Sequence, residues 1–137
     1  MNIYIEKGAY APNRAHKTDA GLDIRSRETR LVKAHSSALF HTGLHVQLLQ
    51  GTAGLLVSKS GLNVNHGITS TGLIDEGYTG EILVKLYNNS DENYLVHAGD
   101  KISQLVVIPV LYEDIHLCDS LDENTERGDK GFGSSGK

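Results

Sequence analysis

Apolar and polar residues alternate one by one along several short stretches of the chain. Leu44-His45-Val46-Gln47-Leu48 alternates cleanly, and Ile82, Val84 and Leu86 alternate with Leu83, Lys85 and Tyr87. Successive side chains of a β-strand point to opposite faces, so such a stretch buries one face and wets the other. Ile102 to Leu111 is instead a nearly continuous apolar run after Gly99-Asp100, the pattern of a buried strand. Pro109 within it predicts an edge or a bulge, because proline cannot donate to a ladder. Further strands are expected near 2–6, 22–25, 29–33, 38–41, 53–58, 94–97 and 113–117, with one short helical turn over Ser60 to Asn65. There is no long helical periodicity, internal repeat or domain linker. Roughly ten short strands between turn residues predict one all-β domain: a sandwich, a jelly roll or a barrel.

Composition narrows the partners. The 137 residues are 39% hydrophobic and 22% charged, enough for one domain with a real core. Fifteen glycines, above the usual ~7%, fit many tight turns. A net charge of −4 argues against polymeric nucleic acid, which is normally met by a basic surface. A small anion is still compatible, because a few cations set a local field whatever the total. Cys118 is alone, so no disulfide framework is expected. No apolar run approaches the ~20 residues of a spanning helix, and MNIYIEKG has no signal-peptide pattern. The expected location is therefore cytoplasmic, with no membrane partner. Few apolar residues follow Leu121, which predicts a domain over 1–121 and a flexible arm over 122–137.

That arm carries the first candidate chemistry. Glu126 to Lys137 holds four glycines, two serines, three cations and Phe132. Glycines let backbone N–H groups converge on an anion, cations neutralise phosphate, and an aromatic ring can stack on a base. Together they suggest a nucleotide; the alternative is a Gly/Ser-rich tail without structure. GFGSSGK also fits the first places of a Walker motif. That motif needs a following Ser/Thr and a helix, which the sequence does not supply, so a P-loop is not expected.

The densest cluster is Gly72-Leu-Ile-Asp75-Glu-Gly-Tyr78-Thr-Gly80-Glu81. Asp75 near a hairpin is either a general base held against a cleft or a turn aspartate bonded to its own backbone. Asp19 and Asp23 lie four apart, and Asp23 within a strand needs a partner: a hydrated magnesium ion or a salt bridge. Ser58-Lys-Ser-Gly-Leu62 is either a phosphate-holding turn or a plain polar one. The seven histidines form no metal pattern, and CxxC, HExxH and G-x-S-x-G are absent.

In order, YAPNRAHKTDAGLDIRS, SKSGL, GLIDEGYTGEILVKLYN, GDKISQLVVIPV and ERGDKGFGSSGK match the motifs of one family at near-normal spacing. Along its whole length the chain resembles the trimeric dUTPases. The resemblance implies a β jelly roll assembled as a homotrimer, with each site drawing on all three subunits. The implied reaction is dUTP plus water to dUMP and pyrophosphate, with Mg²⁺. Asp75 would orient and deprotonate the water attacking the α-phosphorus in line. Tyr78 would pack under the deoxyribose. The backbone of Gly72, Leu73 and Ile74, with that of Leu83, would read the uracil edge. Ser60, Gly61 and Gln104 would contact phosphates, and Asp23 would hold magnesium through water. Arg127 would meet the γ-phosphate, Phe132 would stack on uracil, and Gly133 and Ser134 would close over the phosphates.

Two departures from the family pattern stand out. Lys59 takes the place of the usual arginine and lacks its fork. The stretch from Gly61 to Asp75 is short, so Thr69 or Ser70 stands where relatives place a base-reading asparagine. A dCTP deaminase shares the fold but needs a glutamate where this chain has Lys85. A regulatory protein partner acting through the nucleotide site is the reading from a different class.

Overall fold

A computed structural model describes residues 1–121. The alternating stretches form strands as their patterns require. In β8, Glu81–Asn88, Ile82, Val84 and Leu86 are fully buried, while Leu83, Lys85 and Tyr87 face outward. The other strands are β1 Asn2–Ile5, β2 Gly21–Arg25, β3 Arg30–Val32, β4 Ser36–Gln47, β5 Thr52–Ser58, β6 Ile68–Thr69, β7 Thr71–Ile74, β9 Tyr94–Val96 and β10 Lys101–Pro109. The expected helical turn is α1, Ser60–His66.

Two four-stranded sheets, β1-β4-β8-β6 and β2-β10-β5-β7, enclose the core, and β3-β9 forms a small third sheet. All pairs are antiparallel. Phe40, Leu44, Ile82 and Leu86 of the first sheet pack with Ile24, Leu56 and Leu105 of the second in one apolar cluster. Each such side chain contributes ~1.5–3 kcal/mol on leaving water. Asn88 occupies an inward position of β8 yet is fully bonded. Its amide donates to the Val32 and Glu92 carbonyls, and its oxygen accepts from Ser90.

Three expectations change. The stretches 38–41 and 44–48 are one strand, β4, with a bulge between them: His41 pairs with Leu83, but His45 pairs with Glu81. Gly43 turns the bulge at φ 62°. Added there, a Cβ would also lie 2.6 Å from the Ala9 Cβ. The strand expected at 113–117 does not form. Ile115 and Leu117 are 88% and 98% exposed, and no sheet edge pairs with them among the described residues. β6 and β7, strands of two and four residues, are not among the expected strands. Pro109 is the last residue of β10, beyond Val106, where pairing with β2 ends and one side is open.

Candidate functional site

Four of the sequence motifs converge on the second sheet. Asp23 of β2 pairs with Gln104 of β10, Gln104 with Val57 of β5, and Val57 with Thr71 of β7. One row of residues thus crosses the sheet from the first motif to β7. At one end of this row, Asp19, Gly21, Asp23, Lys59, Lys101 and Gln104 line a cavity of about 340 Å³. Gly21 leaves room for the Gln104 side chain, since a Cβ there would meet Gln104 Oε1 at 2.5 Å. The Gln104 amide donates to the Ser58 carbonyl.

Asp23 is the buried charge of this cavity, with its side chain 6% exposed. Its two oxygens take Lys59 Nζ at 2.5 Å and Lys101 Nζ at 2.6 Å. Burial pushes its pKa up, but the Lys101 and Lys59 ammoniums outweigh burial and hold it below the usual carboxylate value. Of the two partners that the sequence leaves open for Asp23, the structure thus provides cations. Asp19 instead accepts the His16 N–H at 2.8 Å, a local turn bond.

Lys59 is the N-cap residue of α1. Ser60 and Gly61 follow it on the exposed first turn, and their N–H groups precede the first intrahelical bond, Asn63 N–H to the Lys59 carbonyl. Thr69 accepts from the Asn89 amide on the first sheet, and Ser70 is buried against Ser103 and Ser58.

Asp75 lies elsewhere, on the loop from β7 to β8; this loop passes from the second sheet to the first, so the expected hairpin is not formed. Three strand spacings and four residues along the sheet separate it from Asp23, roughly 20 Å in one chain. Asp75 is exposed, and its carboxylate makes no hydrogen bond among the described residues. It is therefore not a self-bonded turn aspartate; only its carbonyl is used, by Tyr78 N–H at 3.1 Å. Gly72 pairs with Leu56 and Ile74 with Gly54, and Leu73 and Leu83 expose their side chains beside the loop. The Tyr78 ring folds over Gly80, and its hydroxyl donates to the Glu81 carbonyl at 2.9 Å.

The loop is pinned at two points after Asp75, at Glu76 and at Thr79. Glu76 accepts Gly51 N–H at 2.6 Å and the Tyr112 hydroxyl at 2.8 Å. The Thr79 carbonyl lies 3.0 Å from His45 Nδ1. Arg127, Phe132, Gly133 and Ser134 lie outside the described residues.

A family model described as dUTPase matches residues 7–136. A deoxyuridine 5'-triphosphate nucleotidohydrolase of Clostridium kluyveri is 43% identical over 96% of this chain and 94% of its own. The enzyme of that name from Candida albicans is 41% identical over 100% of this chain and 88% of its own. The chain belongs to the dUTPase family. A solved Staphylococcus bacteriophage 80alpha dUTPase mutant with dUpNHpp superposes with a TM-score of 0.92 at 30% identity, covering 99% of this chain and 98% of that one. A phage phi11 dUTPase mutant, described with a structural Mg(II) ion, gives 0.80 at 28% identity over 87% of this chain and 96% of that one.

For a dUTPase, three site-building residues were not singled out from the sequence. Lys101 carries the signal of a lone cation opening an apolar strand. Glu76 adjoins Asp75 but looks like any turn carboxylate. His45 occupies a polar place in an alternating strand, where nothing distinguishes it.

Proposed function

We propose that this protein hydrolyses dUTP to dUMP and pyrophosphate at sites shared between copies of the chain. The carrying observation is the separation of the two halves of the chemistry. An uncommitted carboxylate stands on a doubly pinned loop, and a cation-bearing cavity lies roughly 20 Å away by strand spacing. One copy cannot bring them to the same triphosphate, whereas a neighbour's Asp75 loop can meet this cavity. Exposed Leu39, Leu83 and Tyr87 on the outer face of the first sheet, and exposed Leu111, Ile115, Leu117 and Leu121, supply apolar surface for such neighbours. Family membership supports a homotrimer, with residues 1–121 as the domain and 122–137 as the closing arm.

In this reading Asp75 aligns a water and takes its proton. A new O–P bond forms at the α-phosphorus, and the bond to the leaving pyrophosphate breaks in line. Positioning and charge stabilisation supply most of the acceleration in such transfers. Tyr78 stacks on the sugar, and the backbone of Gly72 to Ile74 and Leu83 reads the base. Thr69 lies beside the base-reading segment. Ser60, Gly61 and Gln104 meet phosphates. Arg127, Phe132, Gly133 and Ser134 close the site last and exclude water.

Magnesium fits the triphosphate better than the protein. Among the described residues no group of three or more His, Cys, Asp or Glu can hold a metal. Both Asp23 oxygens are also engaged by ammoniums. Mg²⁺ keeps several waters and takes few protein ligands, so it would arrive on the phosphates and touch Asp23 only through water.

The dCTP deaminase reading is disfavoured by Lys85. Its ammonium lies 5.2 Å from the Tyr87 ring centroid on the outer face of β8, where a deaminase needs a glutamate. Pyrophosphate release across dUTP, dTTP, UTP and dCTP tests the assignment. Turnover of dUTP alone is expected, with Asp75→Asn binding dUTP but losing several orders of magnitude in rate. Robust deamination of dCTP, or an active Asp75→Asn variant, overturns it.

A further inference from the structure

The β7–β8 loop carrying Asp75 and Tyr78 is held at Thr79 by His45, whose two ring nitrogens both face acceptors. Nδ1 lies 3.0 Å from the Thr79 carbonyl, and Nε2 lies 3.2 Å from Glu6 Oε1. A carbonyl cannot donate. Glu6 is an ionised acceptor as well: its other oxygen takes the Arg27 guanidinium at 2.5 Å. Hydrogen bonds from His45 and then Arg27 hold the Glu6 pKa below its ordinary value. A neutral imidazole has one N–H and satisfies only one of these partners, whereas the imidazolium satisfies both.

We propose that His45 is a positioning residue: a protonated tether that joins the Asp75 loop to the segment after β1 and so sets where Asp75 and Tyr78 meet the substrate. The roles of Asp75 and Tyr78 rest on the function proposed above; the tether itself rests on the geometry.

Groups around His45 favour the cation. Glu6 faces it from the segment after β1, Glu81 from the start of β8, and the Tyr4 ring of β1 lies 5.3 Å from the imidazole. Arg27 opposes it but is bonded to Glu6, and His41 on β4 itself is paired with Glu81 at 2.8 Å. The Thr79 carbonyl and then Glu6 raise the His45 pKa above the ordinary imidazole value, against partial burial. A raised folded-state value means that the tether is complete below the unfolded pKa of ~6.5 and is lost as pH rises through the folded value. Loss of the proton leaves Thr79 or Glu6 without its partner. The Glu76 bonds to Gly51 and Tyr112 remain, so the loop loosens at one point rather than unfolding.

Imidazole NMR and amide hydrogen exchange on the full chain test this. His45 is expected to titrate above the ordinary imidazole value of ~6.5, and Glu6→Gln to lower that midpoint. Exchange of the amides of residues 76–80, corrected for the intrinsic effect of pH, is expected to rise several-fold across the same midpoint. His45→Gln is expected to remove that step and the matching limb of the kcat profile for dUTP. A midpoint at or below the ordinary value, or exchange indifferent to it, overturns the tether. A chain that shows both effects but does not turn over dUTP keeps the tether and loses the substrate assignment. Turnover with a pH profile unchanged by His45→Gln does the reverse.

Discussion

Asp23 and Asp75 are both aspartates in motifs, yet their surroundings give them opposite characters. Asp23 is buried and bonded by two ammoniums, whereas Asp75 is exposed and unbonded among the described residues. Asp23→Ala leaves the partly exposed Lys59 and Lys101 ammoniums without their counter-charge. We expect a loss of ~1–3 kcal/mol in urea unfolding. The folded pKa of Asp23 is depressed. Its contribution is therefore present above the unfolded carboxylate value and disappears as pH falls through the folded one. The stability difference between the two proteins should narrow in acid, and a gap unchanged by acid would argue against the ion pairs. The Lys59 position illustrates how much a residue type conceals. From sequence it reads as a looser phosphate ligand than arginine, but in the fold its ammonium also neutralises Asp23, which is remote by 36 residues.

At the scale of elements, the bulge of β4 and the loop after β7 act together. Glu81 accepts the Gly43 N–H at 2.9 Å through one oxygen and holds His41 at 2.8 Å through the other. Thr42 donates its hydroxyl to the Ile82 carbonyl at 2.6 Å. The bulge thereby turns His45 toward Thr79 and lets β4 support the loop that carries Asp75. Gly43→Ala meets both a left-handed backbone, which costs ~1–2 kcal/mol for other residues, and the Ala9 contact. It should lower the melting temperature and also loosen residues 76–80 in hydrogen exchange. Destabilisation without any change at the loop would uncouple the two elements.

For the whole molecule, the function proposed above predicts a site assembled from copies, because Asp75 and the Asp23 cavity lie far apart in one chain. The mass in solution should be three times the 14.9 kDa chain. Asp75→Asn and a chain ending at residue 125 should each be nearly inactive. Refolded together, they should regain a measurable fraction of turnover, because some mixed sites then combine an intact Asp75 loop with an intact arm. Failure to complement in confirmed mixed trimers would place Asp75 and the arm of each site in the same copy. In the proposed trimer, the exposed Leu111, Ile115, Leu117 and Leu121 would be apolar surface for a neighbouring copy.

Much of the fold could be read in advance, because side-chain direction in a strand is a local property that repeats every two residues. The alternation in β8, the nearly continuous apolar run of β10 and the turn at Ser60 all describe what each segment does next to its own neighbours. Motif order named the family for the same reason, since it is written along the chain. The lysines on Asp23, the two pins on the Asp75 loop and the acceptors on both sides of His45 were decided only in three dimensions. Each joins residues 25 to 78 positions apart or spans two elements. Contacts of that kind depend on strand order, register and one bulge, and these follow from how the sheets pack rather than from any single segment.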